Sequence, residues 1–387
     1  MKRFLLIVCL ALSGQMGFAQ PVETPAKHAL IEDFETGAVV LEKAADERFP
    51  PASMAKMMTV YLVFEQLAQG SLSLDDTFIV SDQAWRRWVQ SEGSKMFVQA
   101  RDAVSVRDLL QGIIVSSGND ASTVVAEGLA GTEDAFADWM TQRAQELGMT
   151  NTRFQNASGW PAEDQYTTAR DLAILVRRTI EDFPQLYEYY KQTEFTYGTS
   201  LDGQPIKQGN RNPLLYSMDG VVDGLKTGHT EAAGYGLAAS GERNGRRLIL
   251  VVAGLSSVRE RARESQRLMN FAFRNFDNYR LFEQGEEVAL ADVWLGEQPK
   301  VPLVVDNSVV MTLSRRQRAD LRAVLRYDSP VAAPVERGQP LATVTLSAPG
   351  MAPVEVPLSA GRSIAAISGF GKIGAALEYM IFGASGG

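Results

Sequence analysis

Apolar and polar positions fall into distinct rhythms along these 387 residues. Residues 29–34 and 38–43 are short apolar-rich runs flanking Glu35-Thr-Gly37. They predict a β-hairpin with Gly37 supplying the positive φ of its turn. Pro50 and Pro51 then break the chain, and residues 53–67 predict a helix. Met54, Met57, Met58, Tyr61, Leu62, Val63 and Phe64 make it apolar on most sides, so burial is expected rather than an amphipathic surface position. Further helical patterns cover residues 106–115, 120–130, 133–147, 168–180 and 259–276. Residues 234–240 and 247–254 predict paired strands. The unbroken apolar run of the second suits a central strand. The mixture predicts a mixed α/β class, a sheet with helices packed on its faces.

The texture changes after residue 276. Short Val- and Leu-rich runs at 287–295, 301–305, 308–313, 321–327, 341–346 and 354–358 are punctuated by Gly, Pro, Asp and Asn. They predict a small all-β domain over 277–360. In the tail, Ile364, Ile367, Phe370, Ile373, Leu377, Met380 and Ile381 recur at helical spacing, with Lys372 and Glu378 on the other face. This predicts an amphipathic helix over 364–382, too polar to span a bilayer and suited to lying in a membrane surface.

The first 19 residues predict a cleaved secretory signal. Lys2 and Arg3 precede an apolar run from Phe4, and Gly17 and Ala19 are the small residues before the cut. Cys9, the one cysteine, lies inside this segment, so no disulfide, thiol nucleophile or zinc–thiolate site is expected in the exported chain. The formal charge of −8 and the lack of any Lys/Arg cluster argue against nucleic acid as a partner. Only two histidines occur, His28 and His229. That weighs against a Ser-His-Asp triad and against a catalytic zinc site.

Three short strings carry the chemistry: Ser53-Met-Ala-Lys56, Ser117-Gly-Asn119 and Lys226-Thr-Gly228. A serine hydroxyl needs a base within hydrogen-bond reach. Three residues along a helix, Lys56 lies one turn below Ser53 on the same face. Of ten lysines, Lys56 alone has a serine three positions before it. It can act as a base only when part of it is neutral, which burial and a second nearby cation both favour. Lys226 is expected to be that cation. Ser117 can relay a proton, Asn119 can hold a substrate amide, and Gly228 leaves the strand edge open to a substrate backbone. The helix start at Ser53 offers N–H groups to an oxyanion.

With its three strings in this order, the chain resembles the low-molecular-mass penicillin-binding proteins, the serine-type D-Ala-D-Ala carboxypeptidases. Matching stretches include Pro51 to Thr59, Ser116 to Ala121, Gly148 to Phe154, Asn210 to Asn212 and Val222 to His229. The resemblance implies a penicillin-binding transpeptidase/β-lactamase-like domain over 27–276, with helices on an antiparallel sheet. After it would come the β-rich domain and the C-terminal membrane-anchor helix. Ser53 would be the acylated nucleophile, Lys56 its base and Ser117 the proton relay. Asn119, Lys226, Thr227, Gly228 and His229 would bind substrate, with the backbone N–H groups of Ser53 and His229 as the oxyanion hole. Arg211 and Arg261 would stand near the substrate's carboxylate, which an arginine fork suits.

The implied substrate is the peptidoglycan pentapeptide stem ending in D-Ala-D-Ala, with β-lactams as covalent inhibitors and no cofactor or metal. The implied place is exported and periplasmic, attached peripherally to the outer face of the inner membrane. A β-lactamase is disfavoured, because residues 153–157 bring no carboxylate where such enzymes need one for deacylation. A DD-endopeptidase and a non-catalytic wall-binding scaffold stay open as alternatives. Residues 84–93 replace a mobile loop of the family with a stretch one residue shorter. Ordinary packing is expected of its two tryptophans and two arginines.

Overall fold

The computed structural model describes residues 23–200 and 202–368. The expected signal segment lies outside them. A five-stranded antiparallel sheet organises the larger domain. Its spatial order is Val39–Lys43, His28–Asp33, Arg246–Leu255, Gly234–Arg243 and Val222–Thr230. The hairpin expected at the start pairs its two strands as read, with Gly37 at a φ of 68°.

Alternation along Arg246–Leu255 resolves its continuous apolar run into two cores. Ile249, Val251 and Ala253 face a layer containing the helices Lys56–Ala68 and Ala169–Asp182. Leu248, Leu250, Val252 and Leu255 face the helix Val258–Asn275. The helix Lys56–Ala68 has its first nine residues buried, as its all-round apolar pattern requires. Side-chain caps start several of the other helices. Ser105, Thr132, Thr168 and Ser257 each accept a hydrogen bond from the backbone N–H three residues on.

Phe276, expected as the last residue of a helix, instead opens the strand Phe276–Phe282. Arg246 stands at this junction. Its Nη1 donates to the carbonyls of Ala272 at 3.3 Å and Phe276 at 2.6 Å, so a cation closes the helix end. Asp33, fully buried, accepts from Arg246 Nε at 2.7 Å and from Asn278 Nδ2 at 3.1 Å. One carboxylate thereby joins the sheet to the first strand of the β-rich domain.

That domain is a six-stranded sheet plus the pair Phe276–Phe282 and Val309–Ser314. The strands expected near 287–295, 301–305, 341–346 and 354–358 are Glu287–Trp294, Lys300–Val305, Pro340–Ser347 and Val354–Ala360. The tail helix does not begin at Ile364. Ile364 pairs with Val335 and is buried in the β-domain core, and Ala366 bridges Gly296. The apolar residue read as the first on a helix face is thus used as a strand-like plug. Residues 369–382 of the expected helix lie outside the described residues. No helix among the described residues is long and apolar enough to cross a membrane.

Candidate active site

The nucleophile string lies on a tight 3-10 turn, Ala52–Ala55, that runs directly into the helix Lys56–Ala68. This places Lys56 Nζ 3.1 Å from Ser53 Oγ. The amine also donates to Asn119 Oδ1 at 2.7 Å and to the Ser158 carbonyl at 2.6 Å. Lys56 is fully buried, and its pKa falls from 10.5 to about 7. Burial is the main cause, followed by the positive charge of Arg211, while the carboxylates of Asp120 and Glu133 pull the other way. Arg211 is thus one cation acting on Lys56, and Lys226, expected from the sequence, is coupled to it as well, each ammonium disfavouring the other's charged form.

Lys226, on the edge strand Val222–Thr230, donates to Ser117 Oγ at 2.9 Å. Burial lowers its pKa as well, helped by Lys56, Arg211 and Arg261. Ser117 sits on the turn before the helix Asn119–Ala130 with a φ of 57°, a left-handed conformation that a non-glycine residue adopts at a cost. The turn is held from behind by Asp120. Its buried carboxylate accepts from the backbone N–H groups of Met96, Phe97 and Val98 at 2.8, 2.8 and 3.3 Å.

These groups open onto a cleft of about 860 Å³. Ser53, Ser117, Asn119, Thr227, Gly228, His229, Arg211 and Arg261 all line it, while Lys56 and Lys226 stand behind it on the two serines. The imidazole of His229 stacks on Tyr235 at 3.9 Å between ring centres. Arg211 donates to Ser94 Oγ, and Arg261 donates to the Arg211 carbonyl at 3.3 Å. Arg261 is buried with its Nε lacking a partner among the described residues, and its pKa falls to about 10. Arg261, with that unpartnered N–H, and Arg211, neither paired with a carboxylate among the described residues, suit an incoming carboxylate.

Gly228 also has a packing role. A Cβ there would stand 3.1 to 3.2 Å from Met54, Ala52 and the Pro51 carbonyl, so the missing side chain lets the strand close on the nucleophile turn. Gly159 closes on the same turn. Its φ is +73°, and a Cβ would lie 1.8 Å from the Ala52 carbonyl oxygen. Gly159, Ser158 and Trp160 were missed in the sequence. Their roles depend on contacts to residues about 70 to 110 positions away, and the only local signal was one glycine in a polar loop.

Residues 153–157 contain no carboxylate, but one reaches them from elsewhere. Glu133 Oε1 accepts from Ala157 N at 3.2 Å. It is also ion-paired with Arg87, which fixes it as a brace for this loop. The stretch 84–93 holds most of the helix Asp82–Val89. Trp88 is buried and donates to Thr123 Oγ1 at 2.9 Å, so packing accounts for it.

A family model described as D-alanyl-D-alanine carboxypeptidase matches residues 15–257, and one described as the C-terminal domain of penicillin-binding protein 5 matches residues 276–366. The chain is 36% identical over 360 residues to the D-alanyl-D-alanine carboxypeptidase DacC of Escherichia coli, covering 92% of this chain and 88% of that protein. It is 35% identical over 363 residues to DacA of Haemophilus influenzae, covering 93% and 90%. Among solved structures, the D-alanyl-D-alanine carboxypeptidase DacD from Francisella tularensis superposes with a TM-score of 0.78 at 29% identity, covering 92% of this chain and 99% of that one. Penicillin binding protein 5 from Haemophilus influenzae gives 0.74 at 34% identity, covering 89% and 99%.

Proposed function

The chain belongs to the D-alanyl-D-alanine carboxypeptidase family, and from that membership we propose that it removes the terminal D-Ala from peptidoglycan pentapeptide stems through an acyl-enzyme on Ser53. The observation that carries the reading is Lys56 Nζ at 3.1 Å from Ser53 Oγ, with a pKa brought to about 7. A neutral amine at that distance takes the hydroxyl proton as Ser53 Oγ attacks the carbonyl carbon of the penultimate D-Ala. The backbone N–H groups of Ser53 and His229 hold the oxyanion.

Ser117 passes a proton to the departing amine, with Lys226 at 2.9 Å supporting the relay. Asn119 positions both Lys56 and the substrate amide. Thr227, Arg211 and Arg261 receive the terminal carboxylate. Free D-Ala leaves, and water activated by Lys56 hydrolyses the ester to the shortened stem. A β-lactam acylates the same serine but leaves its ring-opened product in the cleft.

The test is incubation with a D-Ala-D-Ala-terminated pentapeptide. Free D-Ala should appear, and Ser53→Ala should abolish it. No release from well-folded protein would refute the reading. Cleavage of cross-linked dimers alone would favour an endopeptidase. Binding to sacculi without any labelling by a tagged penicillin would favour a scaffold.

The enzyme is further proposed to be exported to the periplasm and held at the outer face of the inner membrane through residues 369–382. The supporting feature is the spacing of Phe370, Ile373, Leu377, Met380 and Ile381. Removing 369–387 should shift the protein from membrane to soluble fractions. Unchanged membrane recovery would overturn the anchor.

A further inference from the structure

We propose that Trp160 is a specificity residue, whose indole forms the platform for the aliphatic or aryl side chain carried by the acyl half of the substrate. The inference rests on the acyl-transfer reading of the same cleft. Gly228 and Gly159 both close on the nucleophile turn. Lys226 and Thr227 stand on the Gly228 strand and Arg261 lies against Tyr235 of the strand paired with it, so the leaving half keeps its carboxylate on that side, with Arg211 reaching across to Ser94. The acyl half, joined to Ser53, then meets the wall built by residues 158–160, and Trp160 is its large apolar member.

Trp160 stays 40% exposed while lining the cleft. Its backbone is nevertheless held by hydrogen bonds and its ring is braced by Trp88 and Gly93. Trp160 N donates to Asn156 Oδ1 at 3.0 Å, and its carbonyl accepts from Asn156 Nδ2 and Gln165 Nε2, both at 2.9 Å. Trp88 meets the ring edge-to-face, with centroids 5.3 Å apart and planes at 80°. Gly93 has no side chain where a Cβ would fall 2.8 Å from Trp160 Cζ3. Holding a large aromatic in place while it stays partly in water gives up apolar burial and gains a preorganised contact surface. Val258, 55% exposed, adds a second apolar group to the same cleft.

Two substrates that differ only on the acyl side test this: diacetyl-L-Lys-D-Ala-D-Ala, with a long aliphatic chain, and acetyl-D-Ala-D-Ala, without it. The unaltered enzyme should favour the first in kcat/KM by about tenfold or more, the range that apolar contacts of this size provide. Trp160→Ala should bring the ratio close to one, chiefly through the longer substrate. Trp160→Phe should keep most of it. Stoichiometric labelling of each variant by a penicillin shows that the fold and Ser53 are intact. An unchanged ratio in Trp160→Ala, with both substrates falling together or neither falling, would overturn the proposal. Failure of the unaltered enzyme to release D-Ala from either would overturn the acyl-transfer reading along with it.

Discussion

The pH dependence of Ser53 acylation follows from one buried amine. Lys56 has a pKa of about 7 instead of 10.5, chiefly because burial disfavours its charged form. Only the neutral amine can accept the serine proton. About a tenth of it is neutral at pH 6 and about nine-tenths at pH 8, so acylation should rise roughly tenfold between them. An ordinary lysine would be only about 0.3% neutral at pH 8, so its environment supplies roughly 300-fold in available base. The assay is the second-order rate constant for acylation by benzylpenicillin, whose carboxylate stays ionised over this range. Arg211→Gln removes a positive charge acting on Lys56. The rising limb should then move to higher pH. A rate flat from pH 6 to 8.5 would refute Lys56 as the base, and an unmoved limb in Arg211→Gln would refute the charge argument.

The same amine affects stability. The unfolded chain keeps the Lys56 proton up to pH 10.5, while the folded chain releases it above about 7. Between those values the unfolded state holds more protons, so stability rises with pH. Folding carries a cost of about 5 kcal/mol at and below pH 7 that fades by pH 10.5. The difference in urea stability between the unaltered protein and Lys56→Met should follow that slope, and equal slopes in the two would contradict it. Gly159→Ala should cost about 2–4 kcal/mol and abolish penicillin labelling, because the new Cβ meets the Ala52 carbonyl at a positive φ; an unchanged Tm would show otherwise. Asp33→Ala should cost about 3–5 kcal/mol by leaving Arg246 buried and unpaired, measured by denaturant unfolding. Asp120→Ala should lower acylation by loosening residues 96–98 against the Ser117 turn, with Asp120→Glu unable to restore it; full activity in both variants would show that the carboxylate does not position the turn.

Local order and local chemistry were legible in the chain. The periodicity of residues 53–67, the hairpin about Gly37 and the run at 247–254 marked their elements, because helix and strand patterns repeat over a few residues. Ser53 and Lys56 could be paired from the sequence, since one helical turn fixes their distance. What tertiary structure decided were relations between distant segments. Arg211 joins Lys226 as a charge felt by Lys56, because folding decides which cations come together and how deeply each is buried. Gly228 and Gly159 close on one turn from opposite parts of the chain, and Glu133 braces a loop that has no carboxylate of its own. Ile364 joins the β-domain core because Val335 offers it a backbone partner, which no helical periodicity could reveal. Short-range spacing is set by the backbone's own geometry, whereas burial and electrostatics depend on which segments pack together.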